Sequence, residues 1–132
     1  MRIYVAGPYG DTQPKDVIAE NVRRADAVGR DLLAHGHQVY VPHKMTHHWE
    51  DDARLNLDMF MALDDTFLTM WADAIVRIPG ESQGADWEMA RSQELGLVEV
   101  DFKGRPTDPS RGRSSGDIPK QAGAGNGQPA PR

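Results

Sequence analysis

The chain of 132 residues contains no cysteine, which removes disulfides, thiolate metal ligands and cysteine nucleophiles from consideration together. It also lacks any apolar run near the roughly 18 residues that a membrane-spanning helix requires. Its first residues show no charged-then-apolar secretory pattern, and no internal repeat is visible. These absences lead us to expect a cytoplasmic protein that does not engage a membrane. A dinucleotide fingerprint of the G-x-G-x-x-G kind is missing as well, because the first glycine-bearing turn reads Gly7-Pro8-Tyr9-Gly10.

What remains is enough for one domain: 39% of the residues are hydrophobic, sufficient to bury a core without staples. Charge divides unevenly along the chain. Residues 1–102 carry nine basic and eighteen acidic side chains, whereas residues 103–132 carry six basic and two acidic ones. An acidic body is a poor non-specific ligand for nucleic acid, whose binding rests largely on phosphate neutralisation. The last 30 residues hold six glycines, five prolines and a single large aliphatic, Ile118. Such a segment cannot bury enough to offset its ordering entropy, and we expect a catalytic domain over 1–102 followed by a disordered basic tail over 103–132.

Within the first hundred residues, strand and helix patterns alternate. Arg2–Ala6 is an apolar strand closed by Gly7-Pro8. A helix is expected from about Pro14 to His35, with Val17, Ile18, Val22, Ala25, Val28 and Leu32 as its apolar stripe. Gln38–Pro42 reads as the second strand, 43–53 as a polar, His-rich loop, and about 54–71 as a second helix. Ala74–Ile78 is a third strand, and Pro79-Gly80 ends it. A helix follows with Trp87, Met89, Ala90 and Leu95 at helical spacing, stopping at Gly96, and Leu97–Phe102 closes the pattern as a fourth strand. This alternation argues for an α/β fold with a parallel sheet covered on both faces, in the order 2-1-3-4. Ligands of such sheets bind beyond the carboxyl ends of the strands where the order reverses, here between the loops after the first and third strands.

Ser82-Gln83-Gly84-Ala85-Asp86-Trp87-Glu88 falls in that crevice. It places free backbone N–H groups at a helix start, suited to anions or sugar hydroxyls, with Glu88 in the helix's first turns. Tyr4 lies near the carboxyl end of its strand, where it is either core or able to turn its hydroxyl to the crevice. His43, His47, His48, Glu50, Asp51 and Asp52 are the only metal-like cluster, but Pro42 and the polar run favour a solvated loop, so no metal is expected. Asp64 and Asp65, late in the second helix, offer a carboxylate partner for Glu88, the pairing that glycosidic chemistry uses. The alternative is an exposed helix face.

Ile3-Tyr4-Val5-Ala6-Gly7-Pro8, taken with Ser82-x-Gly84-x-x-x-Glu88 and Ala90, resembles the nucleoside 2-deoxyribosyltransferase-like superfamily, which includes the 2'-deoxynucleoside 5'-phosphate N-hydrolases. The likeness covers residues 1 to about 102. It implies a flavodoxin-like fold, cleavage of an N-glycosidic bond, no metal or redox cofactor, and a homodimer that completes the site. By the same resemblance, Glu88 is the nucleophile at the anomeric carbon and Tyr4 orients its carboxylate. Asp65 handles the departing base, with Asp64 one residue away in register. His43, Gly7 and Tyr9 face the substrate, and Ser82 and Gly84 receive its 5' end. Serine rather than aspartate at 82 favours a 5'-monophosphate over a free nucleoside. Relatives that hydrolyse nucleotides carry an arginine in the loop after the first strand where this chain has Gly10, which leaves Lys15, Lys44 or a partner subunit's cation to meet the phosphate. The expected activity is therefore hydrolysis of a (deoxy)nucleoside 5'-monophosphate; base exchange by a transferase and a non-catalytic nucleotide-binding module are the alternatives.

Overall fold

The computed structural model describes residues 1–10 and 13–108. Four strands, β1 (Arg2–Ala6), β2 (Gln38–Tyr40), β3 (Ala74–Arg77) and β4 (Val98–Val100), form one parallel sheet in the order β2-β1-β3-β4. The fold is the flavodoxin-like α/β arrangement expected from the alternating pattern. Strand geometry sends successive side chains to opposite faces. Ile3 and Val5 of β1 therefore join Ala25 and Leu32 of α1 (Lys15–Ala34) in one core layer. Tyr4 and Ala6 join Leu68 of α3 (Leu57–Met70) and Ala85 of α4 (Gln83–Glu94) in the other.

Several boundaries differ from the sequence reading for local reasons. Residues 43–53 are not an open loop: Pro42 occupies the first turn of a short helix, α2 (Pro42–Thr46), and a 3-10 turn follows at Trp49–Asp51. That early helix start also ends β2 at Tyr40. The second predicted helix begins later than residue 54, because Asn56 caps α3 by accepting a hydrogen bond from the Met59 N–H at 2.9 Å. The apolar stripe of α1 buries Ile18, Val22, Ala25 and Leu32, while Val17 is left 37% exposed.

The chain stays in contact with the sheet edge past residue 102. Asp101 accepts hydrogen bonds from the backbone N–H groups of Lys103 and Arg105, both at 2.9 Å. Pro106 bridges Val100, and the Thr107 N–H donates to the Glu99 carbonyl at 3.0 Å. Residues 103–108 thus fold back along the edge strand β4. The rest of the expected tail, from 109 on, lies outside the described residues.

At Gly29, α1 passes close over the end of β2: a Cβ there would stand 2.7 Å from Cγ2 of Val41, the residue after the strand. Gly29→Leu is therefore expected to lower stability by about 1–3 kcal/mol through overpacking. Arg30→Ala, next to it on the exposed side, should change stability by no more than about 0.5 kcal/mol. Urea unfolding midpoints of the two variants check this.

Candidate active site

The crossover from β1 to β2 on one side and to β3 on the other opens a cleft of about 650 Å³ at the carboxyl ends of the strands. Its walls are the loop Gly7–Gly10 after β1, the segment Glu81–Ala85 at the start of α4, and Leu57, Phe60, Met61 and Asp64 of α3. Glu88 closes its inner end. A volume of this size suits a ligand of a few ring systems.

Tyr4 has no solvent exposure, and its hydroxyl donates to Glu88 Oε2 across the β1–α4 interface. Burial is the main reason that the Tyr4 phenol is pushed well above its usual range, aided by the charges of Glu88 and Asp64. It remains a donor at any working pH. Burial likewise raises the Glu88 carboxyl to about 8, against the opposing hydrogen bond from Tyr4. Asp64 adds to that rise, while Arg77 counters it.

Besides Glu88, the carboxylates on the cleft wall are Glu50, Asp64 and Glu81; Asp65 is not on it. Asp64 lines the cleft and accepts a hydrogen bond from the Tyr40 hydroxyl at 3.1 Å, and burial raises it to about 7. One residue on, a rotation of roughly 100° about the helix axis turns Asp65 toward α4. There it accepts from Arg91 Nε at 3.2 Å. Arg91 is only 4% exposed and also meets Glu94 at 3.5 Å and Thr69 Oγ1 at 3.3 Å. Asp65 thus neutralises a buried guanidinium that ties α3 to α4. Nothing in the spacing of two adjacent aspartates distinguished them, but Arg91 three residues after Glu88 was the available signal for a partner to one of them.

The remaining expected residues sit around the same cleft with varied tasks. Gly7 passes close to Ile78, whose Cβ a side chain at position 7 would meet at 2.9 Å, so the β1 loop can lie flat against the end of β3. His43 is 5% exposed, and its Nε2–H donates to the carbonyls of Gly7 at 3.2 Å and Pro8 at 3.0 Å. This pinning leaves the buried Nδ1 as an acceptor without a partner among the described residues, and burial lowers the ring's pKa. Tyr9 places its hydroxyl between Glu50 at 3.0 Å and His47 Nδ1 at 3.1 Å. The His-rich stretch therefore braces the β1 loop. Among the described residues no three His, Asp or Glu side chains converge as a metal site.

Ser82 caps α4, its Oγ accepting from the Ala85 N–H at 3.0 Å. Its hydroxyl proton stays available, and the N–H groups of Gln83 and Gly84 have no hydrogen-bond partner among the described residues. The loop before Ser82 is held by Arg77, which donates to the carbonyls of Ile78 and of Gly80 (3.0 Å) and to Asp86 Oδ1 (2.8 Å). Asp86 is thereby turned away from the cleft. Neither lysine expected to replace the loop arginine reaches the site: Lys15 is not part of the cleft wall, and Lys44 pairs with Asp26 at 3.2 Å. Among the described residues the wall contains no lysine or arginine.

No family model matches the sequence, and no curated protein is detectably similar to it.

The raised carboxyl of Glu88 has a consequence for stability. The folded protein holds this proton up to about pH 8, whereas a free glutamate side chain loses it near 4.5. Between those values the unfolded chain binds fewer protons, so stability falls as pH rises. Asp64 acts in the same direction between 3.8 and about 7. Glu88→Gln should therefore be more stable than wild type at pH 8, with the advantage shrinking toward pH 4. Denaturant titrations across that range read the difference; a pH-independent gain would contradict it.

Proposed function

We propose that the protein hydrolyses the N-glycosidic bond of a (deoxy)nucleoside 5'-monophosphate, releasing free base and sugar phosphate. One observation carries the reading. Two carboxyl groups that burial raises, each accepting from a tyrosine hydroxyl, share a cleft of nucleoside size: Glu88 with Tyr4, and Asp64 with Tyr40, while Glu50 and Glu81 are exposed at its wall. The resemblance of the β1 and α4 segments to the nucleoside 2-deoxyribosyltransferase-like superfamily supports the same chemistry.

In the first step Glu88, having lost its proton to solvent, attacks C1' through Oε as the C1'–N bond breaks, and the bond's electron pair leaves with the base. Asp64 protonates a ring nitrogen so that the base departs neutral, taking the role that the sequence reading gave to Asp65. In the second step water attacks C1' of the glycosyl ester, Asp64 accepts the water's proton, and Glu88 leaves. A second base in place of water would make the protein a transferase. Tyr4 orients the nucleophile and steadies its charge. Phe60, Met61 and Leu57 offer an apolar bed for the base.

The 5' end would meet the Ser82 hydroxyl and the free N–H groups of Gln83 and Gly84. These donors suit a phosphate. The absence of a cation from the described wall favours a free nucleoside as the second reading. We further propose that the chain acts in the cytoplasm as a homodimer. Of the large apolar residues on α3 only Leu68 is fully buried, while Met59 is 49% and Met70 67% exposed. No helix among the described residues is long and apolar enough to cross a membrane.

Chromatography of free base released from matched nucleosides and nucleoside 5'-monophosphates tests the proposal. Glu88→Ala should reduce release by more than about 10³-fold and Asp64→Asn by about 10²-fold. Asp65→Asn should keep kcat within about threefold yet lose on the order of 1–3 kcal/mol of stability, because it weakens the pairing of buried Arg91. Binding of nucleotide without base release would instead identify a binding module. Release that required an added base would identify a transferase.

A further inference from the structure

Tyr40 has no part in the sequence reading, yet it stands beside Tyr4 in the sheet. Parallel pairing of β1 and β2 sets Tyr4 opposite Tyr40, with ring centroids 5.6 Å apart. Tyr40 is 7% exposed, and its ring stacks on Phe67 of α3 at 3.9 Å with an interplanar angle of 8°. That stack fixes where the phenol oxygen can go. It reaches Asp64 Oδ1 at 3.1 Å, so each of these two carboxyls has a tyrosine donor: Tyr4 serves Glu88, and Tyr40 serves Asp64. Tyr40 is not part of the cleft wall, so a ligand touches Asp64 but not the tyrosine behind it.

We propose that Tyr40 is a positioning residue for proton delivery: by donating to Asp64 Oδ1, it makes Oδ2 the oxygen that carries the proton and presents it to the leaving base. The proposal rests on the glycosidase reading above. When Asp64 gives up its proton to the base nitrogen, the Tyr40 hydrogen bond becomes charge-assisted and strengthens. It is thus worth more after the transfer than before, the condition for an interaction to speed the step. During the water step the same contact keeps Oδ2 free to accept the proton that water loses. The other titratable groups acting on this pair are Tyr4 from β1 and Glu88 from α4, with His43 and Glu50 on the same cleft wall. The Tyr40 hydroxyl opposes the effect of burial on Asp64 and so makes it the stronger acid.

Tyr40→Phe retains the stack on Phe67 and removes only the hydroxyl. With a nucleoside 5'-monophosphate that the wild type cleaves, kcat should fall on the order of tenfold with KM nearly unchanged. The limb of the pH–rate profile that reports Asp64, the lower of the two given its value below that of Glu88, should move to higher pH. In an Asp64→Asn background the same substitution should have almost no further effect. An equal loss in both backgrounds, or an unmoved Asp64 limb, would overturn the proposal. Carbon-detected NMR titration of the Asp64 carboxyl supplies a readout that needs no turnover: its midpoint should rise in Tyr40→Phe, and an unchanged midpoint would remove the Tyr40–Asp64 link. A wild type that releases no base would instead remove the glycosidase reading and, with it, the role in proton delivery.

Discussion

The site depends on one contact, the hydrogen bond from the buried Tyr4 hydroxyl to Glu88. It joins the central strand β1 to the first turns of α4, and it is the polar link through an otherwise apolar layer that includes Ala6, Ile75 and Ala85. A carboxylate placed here without a donor would carry the full cost of desolvation. The Tyr4 hydroxyl offsets part of that cost, and burial still holds the Glu88 carboxyl at about 8. The placement of the Glu88 carboxyl is therefore set by β1 and α4, and not by a loop.

Around that contact, the chain uses charged groups in two distinct ways. Asp64 and Glu88 keep their charges adjustable, because burial holds both well above the ordinary carboxyl range. Asp65 and Arg91, one helical step to the side, form a compensated pair with no access to the cleft. The pair fixes α3 against α4, and with it the relation between Asp64 and Glu88. Arg77 plays the corresponding part for the loop before α4 by satisfying the carbonyls of Ile78 and Gly80. Adjacent residues of one type thus divide between the cleft wall and an ion pair beside it, and the direction each faces decides which.

Much of this could be read from the residues. Gly7-Pro8 after β1 and Pro79-Gly80 after β3 marked the strand ends, and alternation of apolar runs gave the strand order and the position of the crevice. Tyr4, Glu88, Ser82 and Gly84 fall around it because a parallel sheet leaves few other places for them. The choice between Asp64 and Asp65 was not legible, since it turns on the phase of α3 and that phase depends on Asn56 capping the helix. Tyr40 was equally hidden: its importance comes from cross-strand register with Tyr4, a relation between residues 36 apart. The fold of residues 103–108 against β4 escaped a composition argument because it rests on a few backbone hydrogen bonds from Asp101 and Glu99.

The central claim is that Glu88 forms a covalent bond to C1', and stereochemistry tests it most directly. Base release from a β-linked nucleoside 5'-monophosphate, run in dilute methanol, passes any glycosyl ester partly to methanol. Two displacements at C1' return the original configuration. The account predicts the β-methyl glycoside as the first-formed product, and none from Glu88→Ala. An α-methyl glycoside, or undiminished release by Glu88→Ala, would contradict it.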